Sequence, residues 1–434
     1  MHSTTAAPLA RNLRLYYAFR LLREFQLWIP IWIVYLTIER GFSLAQVGAA
    51  EGLFLILLTI LEVPTGAVAD RWGRRLSLAL GSAMLGVAIF VFALVDSYTV
   101  LLISFSLWAV AETLMSGADQ ALLYDTLKVL GREEEYEKHA GRGEAALWVG
   151  AGIATAIGAP VAQILSSQAT IFIGAGTLVV TTAIVLAMVE PPRAVDDDEP
   201  EAAGLSYLGS VGRSLRIAWS IPTVRYMILF GGALVASTVA TGFLVQPFLL
   251  RQDVEIGVVF SLLQVPGMAM GAIGAFVAYR VVGRVGLQRY FALVLVLAVG
   301  MYTGLATVDF LGAIVFFYAL TLVHSSVEPV ATGYLNRRIP SSQRATILSL
   351  RSLTVGLMLA PMTPIVGIVA EQRSLSQVFA LSAVVAAVSG VVTGALWMRA
   401  HRQEVLPENK DDGSSFAPPS AIQAPPPARP SDPD

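Results

Sequence analysis

Twelve stretches of about twenty mainly apolar residues, separated by short polar turns, constrain this chain more than any other feature. They fall at roughly 13–37, 44–68, 76–95, 99–127, 145–166, 169–189, 223–249, 255–279, 287–306, 309–335, 345–370 and 375–399. A helix needs about 20 such residues to cross the hydrocarbon of a bilayer. None of the stretches alternates apolar and polar positions as a strand would, so all twelve are expected to be α-helices. The same residues exclude a water-soluble fold. Charged side chains make up 14% of the 434 residues and hydrophobic ones 55%, whereas soluble domains carry about 25% charged residues. So little charge could not cover a surface in water, and in lipid it need not.

Charge sets the expected orientation. Of 29 Lys and Arg, only Arg40, Arg251 and Arg373 fall in connections on one side of the membrane, and Arg20, Arg23 and Arg351 fall inside spans. The rest gather on the other side together with both tails, which makes that side cytoplasmic. An even number of spans also requires both termini on one face. Met1 to Ala10 lacks the basic start and apolar core of a secretory leader, so the first span is expected to direct insertion.

A polar connector divides the spans six and six. The expected organisation is an N-terminal six-helix bundle (1–189), a cytoplasmic linker (190–222), a C-terminal six-helix bundle (223–402) and a disordered Pro-rich cytoplasmic tail (403–434). Within the linker Leu205, Leu208, Val211, Leu215 and Trp219 recur at helical spacing, as in a helix lying on a membrane surface, and a plain tether is the alternative reading. The halves repeat each other: Gly48 and Arg71 have counterparts in Gly257 and Arg280 at one constant spacing, and Gly73-Arg74 is echoed by Gly283-Arg284. A rival register, Glu62-Val63-Pro64 on Gln264-Val265-Pro266, conflicts with this one and is set aside. The expected fold class is therefore an all-α membrane protein, twelve transmembrane helices in two pseudo-symmetric bundles.

Between the second and third spans runs Gly66-Ala67-Val68-Ala69-Asp70-Arg71-Trp72-Gly73-Arg74-Arg75. The pattern G-x-x-x-D-R-x-G-R-R resembles the loop between helices two and three of the major facilitator superfamily of membrane transporters. The resemblance extends from about Asn12 to Arg402. It implies a cytoplasmic latch between the two halves, with Gly66 and Gly73 as its glycines, Asp70 as its anion and Arg71, Arg74 and Arg75 as its basic cluster. A glycine lets helices approach closely, and an anion suits the positive N-terminus of an abutting helix, here span eleven near Arg344. Arg74 and Arg75 would equally serve to enforce topology. The chain departs from the family's drug antiporters in two places. Span four lacks an arginine and offers Glu112 and Asp119, and span five matches the antiporter motif loosely, at Gly150, Gly152, Gly158 and Pro160.

Charges inside spans are the candidate pathway residues, because each costs about 2.5–3.5 kcal/mol at a helix centre. Span one carries Arg20, Arg23 and Glu24. Arg20 and Glu24, one turn apart, are expected to neutralise each other, leaving Arg23 for an anionic partner or substrate group. Span two carries Glu62. Span four carries Glu112 and Asp119, seven residues apart and expected on one face. Span ten carries His324 and Glu328, and span eleven Arg351. In this count acids outnumber bases, and a carboxyl without a partner in hydrocarbon is suited to carry a proton. Glu112 is expected to be the main proton site, with Asp119 or Glu62 assisting, and His324 to be a packing residue. The span-one aromatics Tyr16, Tyr17, Phe19, Phe25, Trp28, Trp32 and Tyr35 offer surfaces for apolar or cationic compounds.

Other classes lack their residues. The chain has no Cys, and His2, His139, His324 and His401 are scattered, so no metal site, disulfide or cofactor is expected. It has no G-x-x-x-x-G-K-[ST] and no H-E-x-x-H, which argues against an enzyme. Net charge is −2, so nucleic acid is not an expected partner. The expected function is secondary active transport by alternating access, as proton-coupled efflux of an amphipathic, drug-like compound, by a monomer in the plasma or inner membrane. The alternatives are a facilitator or proton symporter of a polar, anionic metabolite, suited to Arg20, Arg23 and Arg351, and a non-transporting receptor on the same fold.

Overall fold

The computed structural model describes residues 3–192, 219–338 and 344–405. The surface helix expected within the linker and the tail beyond Val405 lie outside the described residues. Every described element is helical or a turn, with no strand among the described residues. Among the described residues, eleven segments are long and apolar enough to cross a membrane.

The first expected span is the exception. Its helix α1 (Ser3–Arg23) stops at Arg23, the chain bends through Glu24 to Trp28, and a second short piece, α2 (Ile29–Glu39), completes the crossing. Pro30 opens the second piece, and its missing N–H cannot continue the α1 ladder. Span two is one unbroken helix, α3 (Leu44–Trp72). A capping box starts it: the Ser43 hydroxyl accepts from the Gln46 N–H at 3.1 Å, and the Gln46 side chain accepts from the Ser43 N–H at 3.0 Å. Span three is α4 (Arg74–Ala93). Span four is two helices, α5 (Tyr98–Met115) and α6 (Ala118–Val129). Spans five and six are α7 (Tyr136–Ile164) and α8 (Ser167–Leu186).

The second half repeats this order. Span seven is α9 (Pro222–Val239) followed by α10 (Val245–Arg251), broken at a position like that of span one. Span eight is α11 (Val258–Leu262) with α12 (Val265–Val285). Spans nine to twelve are α13 (Leu287–Thr307), α14 (Ile314–Asn336), α15 (Arg344–Gln372) and α16 (Leu375–Val405). Packing obeys the same repeat: α4 lies on α8 as α13 lies on α16, and α3 lies on α5 as α12 lies on α14. Large apolar side chains such as Val179, Phe276 and Val296 remain more than 60% exposed, an arrangement stable when hydrocarbon is the solvent.

The halves meet through two symmetry-related pairings, α3 against α15 and α7 against α11 and α12. Both are tightest toward the charge-poor face. A Cβ on Gly48 would fall on the Thr363 carbonyl, and one on Gly52 would lie 2.6 Å from the Ala360 oxygen. The Gln246 amide on α10 accepts from the Ile33 N–H at 3.0 Å and donates to the Ile29 carbonyl at 2.9 Å. Gln264 donates to the Pro30 carbonyl, and the Ser261 hydroxyl accepts from the Ala159 N–H, both at 3.0 Å. These bonds close the two bundles on each other at one end.

Candidate functional site

At the other end the bundles part. A cavity of about 610 Å³ lies between α3, α5, α14 and α15, walled by Phe54, Leu58, Glu62, Trp108, Glu112, Glu328 and Arg351 among others. Its lining comes from those parts of the four helices that run toward the basic face. The Glu328 side chain, which lines this space, is 54% exposed.

Three arginines organise the charges around it. Arg20 donates to Asp119 at 2.9 Å and also to Glu144. Arg23 donates to Glu112, and its Nε lies 3.6 Å from Glu24. Arg351 forks both guanidinium nitrogens onto Glu328 and adds a 3.0 Å bond to the Thr332 hydroxyl. The Trp108 indole donates to Glu112 at 3.3 Å, and the ring stacks edge-on against Trp28 and lies 5.2 Å from Phe54.

Three expectations fail here. Arg20 does not pair with Glu24, because α1 ends at Arg23 and Glu24 sits on the bend, out of helical register. Arg23 is not left for a substrate anion, since it faces Glu112 and Glu24. Nor do Glu112 and Asp119 share the face of one helix: Gly117 takes φ 73° and separates α5 from α6. The two acids still both reach α1, each to its own arginine. His324 is set back from the cavity lining, its Nδ1 3.2 Å from the Thr238 hydroxyl. Glu62 lines the cavity, is exposed, and has no side-chain partner among the described residues.

Three acids went unread in the sequence. Glu144, a partner of Arg20, stands one residue before the expected edge of span five. Glu51 and Asp125 lie inside the expected bounds of spans two and four, so the residues themselves were the signal.

The Gly66–Arg75 stretch is less of a loop than its charges imply. α3 runs through Trp72, and α4 starts at Arg74, so Gly73 alone turns the chain, at φ 102°. Glu190 supplies the cap for α4: its carboxylate accepts from the Arg74 and Arg75 N–H groups at 2.8 and 2.7 Å and fills the space a Gly73 side chain would need. The Arg74 guanidinium pairs with Asp125 and donates to the Ala121 carbonyl at 2.7 Å; that of Arg75 donates to the Met188 carbonyl at 3.1 Å. The side chains of Gly66 to Asp70 and of the first turn of α15 lie outside the described residues, and with them the expected latch of Asp70 onto span eleven.

Two pseudo-symmetric bundles closed at one end over a charged central cavity define a multi-pass membrane transporter. The chain belongs to the Major Facilitator Superfamily, whose family profile matches residues 21–361. It is 24% identical over 385 residues to the uncharacterized MFS-type transporter YxaM of Bacillus subtilis (strain 168), covering 85% of this chain and 92% of that one. Among solved structures it is similar to a mutant of the nucleoside transporter NupG (TM-score 0.76, 14% identity, 90% of this chain and 99% of that one). It is also similar to a bacterial homolog of the human lysosomal transporter Spinster in an inward-facing, unoccupied conformation (TM-score 0.69, 17% identity, 93% and 98%). At these identities the structures establish the shared fold.

Proposed function

We propose that this transporter exports small amphipathic compounds bearing a cationic group in exchange for protons. It sits in the cell membrane as a monomer, with its termini and basic face in the cytoplasm. The observation that carries this reading is the charge balance of the cavity wall: Glu112 is held by Arg23 and Glu328 by Arg351, which leaves Glu62 without a side-chain partner among the described residues. Phe54 and Trp108 beside these carboxylates add aromatic faces that attract organic cations. A cation and a proton then compete for the same acids, which is the requirement for exchange. A symporter of anions would need a guanidinium to spare, and Arg20, Arg23 and Arg351 each face a carboxylate. The cytoplasmic placement rests on the excess of Lys and Arg at that face.

The driving force is sufficient. One proton crossing about 100 mV releases about 2.3 kcal/mol, and a pH unit adds about 1.4 kcal/mol. Together they sustain a substrate ratio of a few hundred-fold, at about 1.4 kcal/mol per factor of ten. Everted vesicles with an acidic lumen and a lipophilic cationic dye provide the test. The wild-type chain concentrates the dye in the lumen, and Glu112→Gln drops this to the passive level. Undiminished accumulation by Glu112→Gln removes Glu112 from the role; absence of dye-stimulated proton flux in the wild type overturns proton exchange.

A further inference from the structure

Two carboxylates share the stripe of α3 that faces the midline between the bundles. Glu51, Leu55, Leu58 and Glu62 follow each other by four, three and four residues and so stand on one helix face. The last three line the cavity. Glu51 continues their line beyond it, about 16 Å from Glu62 along the axis at about 1.5 Å per residue. Here the bundles are shut: Gly48 and Gly52, on either side of Glu51 in sequence, press on the Thr363 and Ala360 carbonyls of α15.

Glu51 is partly buried and has no hydrogen bond or ion pair among the described residues. The elements packed on α3 offer it no countercharge. α15 has no charged residue between Arg351 and Glu371, α5 has no titratable residue between Tyr98 and Glu112, and α4 has no charged residue after Arg75. The other charges of this end, Glu39, Arg40, Asp96, Arg251, Asp253, Glu255, Asp309, Glu371 and Arg373, stand at helix ends and in the outer connections, where Arg40 contacts the Tyr35 hydroxyl and Arg251 pairs with Asp309. A carboxylate in such a place is costly, and a bound proton removes the cost.

Resting on the proton-exchange reading above, we propose that Glu51 is the outer binding site of the coupled proton, with Glu62 its counterpart on the cytoplasmic side. When the outer end opens, Glu51 is wetted and takes a proton from outside. Only the neutral form lets Gly48 and Gly52 close again on α15. Deprotonation of Glu51 therefore favours the outward-open state, and the population of that state rises with pH.

The chain has no cysteine, so paired labels can be placed without altering its background. Asp96 and Glu255 are exposed on opposite bundles at the outer face. Spin labels on Asp96→Cys and Glu255→Cys, in the full-length chain in lipid, report outer opening without any substrate. In the parent pair the separation lengthens as pH rises through the physiological range. Glu51→Gln holds the short separation at every pH, Glu51→Asp keeps the shift, and Glu62→Gln leaves it in place. A Glu51→Gln pair that lengthens with pH like its parent overturns the assignment of Glu51 alone. A parent pair that ignores pH also overturns it. Loss of dye-stimulated proton flux in the wild type overturns the underlying reading instead.

Discussion

Arg20 is 8% exposed and holds Asp119, itself 4% exposed, with Glu144 as a second, half-exposed partner. Removing the guanidinium leaves a buried carboxylate without a countercharge, a loss of about 3–5 kcal/mol in well-enclosed pairs. Water reaching Glu144 screens part of this, so Arg20→Met is expected to cost about 3 kcal/mol. Asp119→Asn should cost less, because Arg20 keeps Glu144. The ordering of the two melting temperatures in detergent checks both. At this scale the sequence was informative about which residues matter and silent about their partners. Arg20, Arg23, Glu112, Asp119, Glu328 and Arg351 stand out because a charge in hydrocarbon needs a reason. That Arg23 meets Glu112, 89 residues on, depends on how α1 and α5 lie against each other, and nothing local encodes that. The local rule that one helical turn joins Arg20 to Glu24 failed because the helix ends between them.

Helix breaks decide where those side chains point. Gly117 adopts φ 73°, and a Cβ there would meet nothing within 4 Å. Gly117→Ala therefore reports backbone strain alone, about 1–2 kcal/mol for an L-residue in the left-handed region. It should lower the unfolding midpoint in detergent without a steric clash. The apolar lengths of the spans were legible because every crossing must match the same hydrocarbon thickness. The breaks at Glu24–Trp28 and Gly117 were not, since the polar residues beside them, Arg23, Glu24 and Asp119 among them, read equally well as pathway charges within an unbroken helix. Pro30 and Gly117 were present as signals, yet proline and glycine also occur inside intact helices here, as Pro64 and Gly48 do in α3. The Gly66–Arg75 stretch shows the reverse case: its charges mark a loop, while its backbone stays helical up to a single glycine.

The molecule as a whole is closed at the charge-poor face and hollow toward the basic one. Gln246 is 3% exposed and bridges the halves with two bonds to α2. These bonds exist only while that face is shut. Gln246→Leu should weaken the closed state by about 1–2 kcal/mol, roughly a ten-fold shift toward outer opening. The label pair on Asp96→Cys and Glu255→Cys would then show a larger long-distance population at every pH. The effect belongs to this scale because Gln246 touches neither the cavity nor any charge.

Span number, the two related halves, the charge asymmetry of the two faces and the family pattern at Gly66–Arg75 were all readable along the chain. They follow from quantities that are local and one-dimensional: the length of hydrocarbon to be crossed, the cost of each charge within it, and the recurrence of a motif. Which acid neutralises which arginine, which acids stay unpartnered, and which end of the central space is sealed were settled only by the tertiary structure. Those depend on helix rotation and close approach between segments more than a hundred residues apart, such as Gly52 on Ala360, and no local preference specifies such a contact.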